Sequence, residues 1–185
     1  MKGTSGAART AIVPLVVGVL LGFIGGYFAG GGGRPGTGET ASASGASAGG
    51  RISELRSSID RDPENPRLWT ELGNAYYDRE DWNQAIRAYE KALRKAASDP
   101  NVLSDLGACY RNRGEFDRAV ALFTKARAAD PDHWQSLLNL VLVQAFDVRD
   151  PVAARRALEE LKRRYPETPN LDRLQQQIDG LRPRA

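Results

Sequence analysis

The chain has 185 residues, with 26 Lys and Arg against 23 Asp and Glu and a formal net charge of +3. That length allows one modest domain plus appendages, and a charge balance this even gives little support to nucleic-acid binding, which needs a basic stripe. A single cysteine, Cys109, excludes an internal disulfide framework and any multi-cysteine metal site.

The first 50 residues carry only Lys2, Arg9, Arg34 and Glu39 as charges. Residues 11–30 (AIVPLVVGVLLGFIGGYFAG) form a run of 20 without a charge. As a helix this run covers roughly 30 Å, the thickness of a bilayer core. Lys2, Arg9 and the amino terminus precede it and Arg34 follows it. The positive-inside rule therefore puts residues 1–10 in the cytoplasm and everything after Gly30 outside, as in a single-pass inner-membrane protein. The competing reading is a cleavable signal peptide, for which Ala29-Gly30-Gly31 is a poor cleavage pattern. Gly18, Gly22, Gly26 and Gly30 recur every four residues. Such a stripe lets two membrane helices approach closely and implies a homodimer, unless the glycines touch only lipid. Residues 31–50 lack any apolar side chain larger than alanine and read as a flexible Gly/Ser/Ala linker.

Beyond the linker every element reads as helix. A helix at 51–61 places Ile52, Leu55 and Ile59 on one face. Asn65-Pro66, Asp99-Pro100, Asp150-Pro151 and Thr168-Pro169 each pair a capping side chain with proline at a first helical position. They predict helices over 66–79, 82–96, 100–113, 116–129, 133–147, 151–164 and 169–181. The spacing repeats every 34 residues: Trp69, Leu103 and Leu137; Leu72, Leu106 and Leu140; Ala85, Ala119 and Ala153. Gly73 and Gly107 match, with Val141 departing; Ala92 and Ala126 match, with Glu160 departing; Ala157 replaces the aromatic of the third unit.

Trp69-x2-Leu72-Gly73-x2-Tyr76 with Ala85-x3-Tyr89, and Leu103-x2-Leu106-Gly107-x2-Tyr110 with Ala119-x3-Phe123, resemble the tetratricopeptide repeat. The resemblance implies an all-α solenoid over residues 51–181. Its helix–turn–helix units span about 66–99, 100–133 and 134–167, and helices 51–61 and 169–181 cap the ends. It also implies a concave face lined by the first helix of each unit. The contact positions are Arg67, Thr70, Asn74 and Tyr77 in the first unit and Asn101, Ser104, Ala108 and Arg111 in the second. The third unit supplies Gln135, Leu138, Leu142 and Ala145. Such a face suits a protein or peptide partner. The family's clamp for acidic C-termini needs cations where this chain has Thr70, Gln135 and Asn139, so the clamp is not expected.

No residues assemble a catalytic, metal or cofactor site. His133, the only histidine, lies in a turn and is expected to face solvent; Cys109 is expected to pack as a small hydrophobe. The expectation is a non-enzymatic, membrane-tethered scaffold of a bacterial envelope complex. The stretch Asp62–Leu93 is similar to repeats of proteins that assist c-type cytochrome maturation. The alternative is a structural subunit that oligomerises through the glycine-striped helix.

Overall fold

The computed structural model describes residues 48–182, and the expected membrane span with its stripe of Gly18, Gly22, Gly26 and Gly30 lies outside them. Among the described residues no helix is long and apolar enough to cross a membrane. The described residues form eight helices in order: α1 (Ala48–Arg61), α2 (Pro66–Tyr77), α3 (Trp82–Lys95), α4 (Pro100–Asn112), α5 (Phe116–Ala129), α6 (Trp134–Leu142), α7 (Pro151–Arg164) and α8 (Leu171–Asp179). A π-helical segment, Val143–Val148, prolongs α6. α1 starts at Ala48, three residues inside the stretch expected to be linker.

The caps explain the starts. Asn65 accepts the Arg67 N–H at 3.1 Å, Asp99 those of Asn101 and Val102 at 2.9 and 3.2 Å, and Asp150 those of Val152 and Ala153 at 3.0 and 2.9 Å. Each satisfies helix N–H groups that would otherwise lack partners. Thr168-Pro169 does not follow suit. Asn170 adopts a left-handed conformation (φ 63°) with no side-chain cap bond, and α8 begins two residues late at Leu171.

Within each unit the two helices close over a small residue. A Cβ on Gly73 would stand 2.5 Å from the Tyr89 ring, and one on Gly107 would stand 2.7 Å from the Phe123 ring. Glycine there is what lets a fully buried aromatic lie flat on the first helix.

The third unit corrects the expected register. α3 and α5 begin 34 residues apart, at Trp82 and Phe116, whereas α7 begins 35 after α5, at Pro151. A π turn adds one residue to a helix without breaking it, and Val143–Val148 absorbs the insertion. The buried small residue is therefore Ala154 and not Ala153, and Leu158 and Leu161, not Ala157 and Glu160, fill the core; all three are 0% exposed. Val141 in place of glycine now makes sense. It is fully buried in one cluster with Leu158, so a larger residue on the first helix is matched by a smaller one at the corresponding position of the second. Glu80, Gly114 and Arg149 end the three first helices at φ 58°, 76° and 62°. This left-handed stop recurs in all three units, although only the second uses glycine.

α1 is offset from α3 by one 34-residue period over its full length. The Arg56 guanidinium donates to the Tyr76 hydroxyl at 2.6 Å, as the Tyr110 hydroxyl donates to Glu90 one period on. α1 thus stands as the second helix of a preceding unit, and α8 follows α7 as α6 follows α5. Ile52, Leu55 and Ile59 at one end, and Leu171, Leu174 and Ile178 at the other, are buried. The outward positions of both helices are polar, which closes the stack at each end.

Candidate functional site

The residues expected to line an inner face lie on the first helices α2, α4 and α6, and most of them already have partners. On α2, Arg67 is exposed and Thr70, Asn74 and Tyr77 are half-buried. Thr70 donates to the Pro66 carbonyl at 3.0 Å. Asn74 accepts the Tyr89 hydroxyl at 2.7 Å through Oδ1, which fixes its amide. Tyr77 meets Trp82 edge-on, with ring centroids 5.0 Å apart and planes at 75°.

On α4 three expected contact residues instead stitch the second unit to the third. Asn101 Oδ1 lies 3.2 Å from His133 Nε2, and Ser104 accepts the Asn139 amide at 3.2 Å. The Arg111 guanidinium forms an ion pair with Asp147, which the π turn carries. Ser104 is buried, while Ala108, Gln135 and Leu138 are half-buried. Leu142 (5% exposed) and Ala145 (0%) are closed inside the cluster that α7 and α8 complete. These two are corrected from contact residues to core, because apolar side chains at the end of the stack gain more from burial than from solvent.

The residue missed in the sequence is Asp105. It lies on α4 at the repeat position of Glu71 and Asn139, and it is the only charge between Pro100 and Tyr110. It is half-buried, and no hydrogen bond or ion pair reaches its carboxylate. Burial, with Asp99 adding repulsion, pushes its carboxyl up to about 7. Its charge acts on Tyr77 of α2, Tyr89 of α3 and Cys109 of its own helix. Burial pushes the Tyr77 hydroxyl up to about 12, with Cys109 and Asp105 adding to it and Arg111 opposing. Burial first, then Asp105, pushes the Cys109 thiol to about 12 as well. The thiol is 0% exposed, so it packs as a hydrophobe, as its sequence position implied. An acid alone in an otherwise uncharged helical stretch was the sequence signal for Asp105.

His133 does not face solvent: it is 7% exposed and caps α6. Its Nδ1 accepts the Ser136 N–H at 3.3 Å and lies 2.6 Å from the Ser136 hydroxyl. A ring nitrogen that accepts an N–H carries no proton, so Nε2 holds the proton and donates to Asn101. Burial lowers the His133 pKa, against opposing pulls from Asp130 and Asp99. The neutral ring is the form this junction requires.

A second hollow, about 430 Å³, opens between α1, α2 and α3. Its cations are already engaged: Arg56 donates to the Tyr76 hydroxyl, and Lys91 lies 5.6 Å from the Trp69 ring centroid. Among the described residues no group of three His, Cys, Asp or Glu could hold a metal ion.

The sequence profile described as tetratricopeptide repeat matches residues 52–100, 70–133 and 104–169. No protein of curated function matches the sequence. Among solved structures, the crystal structure of MamA is similar at 22% identity and TM-score 0.64, over 71% of this chain and 74% of that one. The Arabidopsis OM64 TPR domain is similar at 19% identity and TM-score 0.58, over 62% and 93%. The second TPR domain of human RPAP3, solved with the HSP70 peptide SGPTIEEVD, is similar at 13% identity and TM-score 0.56, over 62% and 98%. With the profile covering most of the chain and the helix pairs stacked as described, this protein belongs to the tetratricopeptide repeat family.

Proposed function

We propose that this protein is a non-enzymatic scaffold whose inner face, formed by α2, α4 and α6, binds an extended segment of a protein partner. The observation that carries the reading is the set of half-buried polar side chains on α2, α4 and α6: Thr70, Asn74, Tyr77, Asp105 and Gln135. Side-chain amides, hydroxyls and a flat ring are the groups that grip a peptide backbone and its side chains. The solved complex of human RPAP3 with an HSP70 peptide supports the use of this fold for such ligands.

The uncharged run at 11–30 supports tethering of the scaffold to the inner membrane, with the repeats outside the cytoplasm and the glycine stripe available for a homodimer. Assembly of an envelope complex suits a domain held on a linker of this kind. The narrower reading, c-type cytochrome maturation, rests on the likeness of Asp62–Leu93 alone.

A photo-crosslinking amino acid placed at Tyr77 tests the binding face in cells, with exposed Lys125 on α5 as the control site. A discrete adduct from position 77 and none from 125 is expected; equal labelling from both, or from neither, overturns the reading. Topology is tested by changing Ser44→Cys and labelling intact spheroplasts with an impermeant maleimide, Cys109 being 0% exposed and inert. Labelling only after lysis would place the repeats in the cytoplasm and discard the envelope pathways.

A further inference from the structure

We propose that Asp105 anchors a lysine or arginine side chain of the partner peptide, so that the inner face selects basic segments. The inference rests on the binding face proposed above and names the chemistry it reads. Asn74, Asn101, Ser104 and Arg111 each have a partner within the chain, whereas Asp105 has none. A half-buried carboxylate without a cation or a donor is costly to keep, and a bound cation is the group that would offset the cost.

The surroundings suit a cation. Tyr77 of α2 packs against the core cluster that holds Cys109, one turn along α4 from Asp105, and a ring face attracts an ammonium or guanidinium. Glu71, at the same repeat position one unit earlier, is also half-buried and without a hydrogen bond or ion pair, adding negative potential to the row. Arg111, the cation on this stretch of α4, is withdrawn into its ion pair with Asp147 across the α4–α6 junction. The acidic peptide in the human RPAP3 complex would meet repulsion on such a surface.

The test uses the full-length chain in detergent micelles and a random heptapeptide phage library as the probe. Peptides recovered on the natural chain are synthesised and titrated against it, against Asp105→Asn and against Asp117→Asn, an exposed acid on α5. Expected is a shared Lys or Arg among the recovered peptides, and at least about tenfold weaker binding to Asp105→Asn. Replacing that basic residue by alanine in the peptide should weaken binding to the same degree on the natural chain and add little on Asp105→Asn. Peptides that bind without a basic residue, or equally well to Asp105→Asn, overturn the anchor while leaving the binding face in place. An equal loss with Asp117→Asn would show nonspecific charge attraction and also overturn it. Recovery of no peptide overturns both the anchor and the binding face.

Discussion

The first two units and the third solve one packing problem in two ways. In the first two, glycine on the leading helix (Gly73, Gly107) receives a flat aromatic from the following one (Tyr89, Phe123). In the third, Val141 and Leu158 hold the corresponding positions within one buried cluster, with one residue inserted between them and taken up by the π turn. Both arrangements bury their members almost completely. What a helix pair conserves is summed volume and close approach, so residue identity can change when both partners change together. The π turn also carries Asp147 into its ion pair with Arg111, so the irregular unit is the one that locks to its neighbour by charge.

The largest test of this comparison is Val141→Gly, which empties a fully buried site and adds backbone freedom. It should cost about 3 kcal/mol in denaturant unfolding. Adding Leu158→Phe should restore part of that loss, with a coupling of about 0.5–3 kcal/mol in the double-mutant cycle; strict additivity would break the volume-exchange account.

Next comes Asp105→Asn, which places the third unit's residue (Asn139) in the second. The folded carboxyl is raised from its usual value near 4 to about 7. Folding therefore favours the protonated form, and stability falls as pH rises through that window and levels off above it. The substitution should stabilise the chain by roughly 2–4 kcal/mol at pH 8 and much less at pH 4. A pH-independent difference between the two melting curves would show that the carboxylate is not held unpaired.

Gly73→Ala drives a methyl into the Tyr89 ring and should cost about 1–3 kcal/mol. The same change in a Tyr89→Leu background should cost less, since Leu already accompanies the larger residue in the third unit.

The smallest effect is expected at His133. Its pKa is lowered by burial, so the neutral ring stabilises the fold above the unfolded value near 6.5, and that stability is lost as pH falls below it. His133→Ala should cost about 1 kcal/mol at pH 8 through loss of the α6 cap, and less at pH 5. A constant difference across that range would rule out the neutral cap.

Much of the fold is legible because its determinants are local. Asn65, Asp99 and Asp150 announce their helices with a proline one residue on, and each caps as its position implies. The period itself is visible because each unit needs the same small and large residues at the same places. Thr168-Pro169 misled because a capping pair only permits a helix start, and Asn170 turns the chain first. The candidate site was less legible. Ser104, Asn101 and Arg111 lie on the first helix of the second unit as expected, yet their partners Asn139, His133 and Asp147 come from 32 to 36 residues away. Asp105 stands out in the sequence as the one charge between Pro100 and Tyr110, but its lack of such a partner is visible only in the fold.

From its sequence alone this chain is an all-helical stack with a 34-residue period, since caps, apolar spacing and glycine positions act within a turn or two. Only the tertiary structure decided the register of the third unit, the burial of His133, Leu142 and Ala145, and the isolation of Asp105. Those depend on which side chains of distant units meet. A one-residue insertion or one unpaired carboxylate changes that meeting while leaving the local pattern nearly intact.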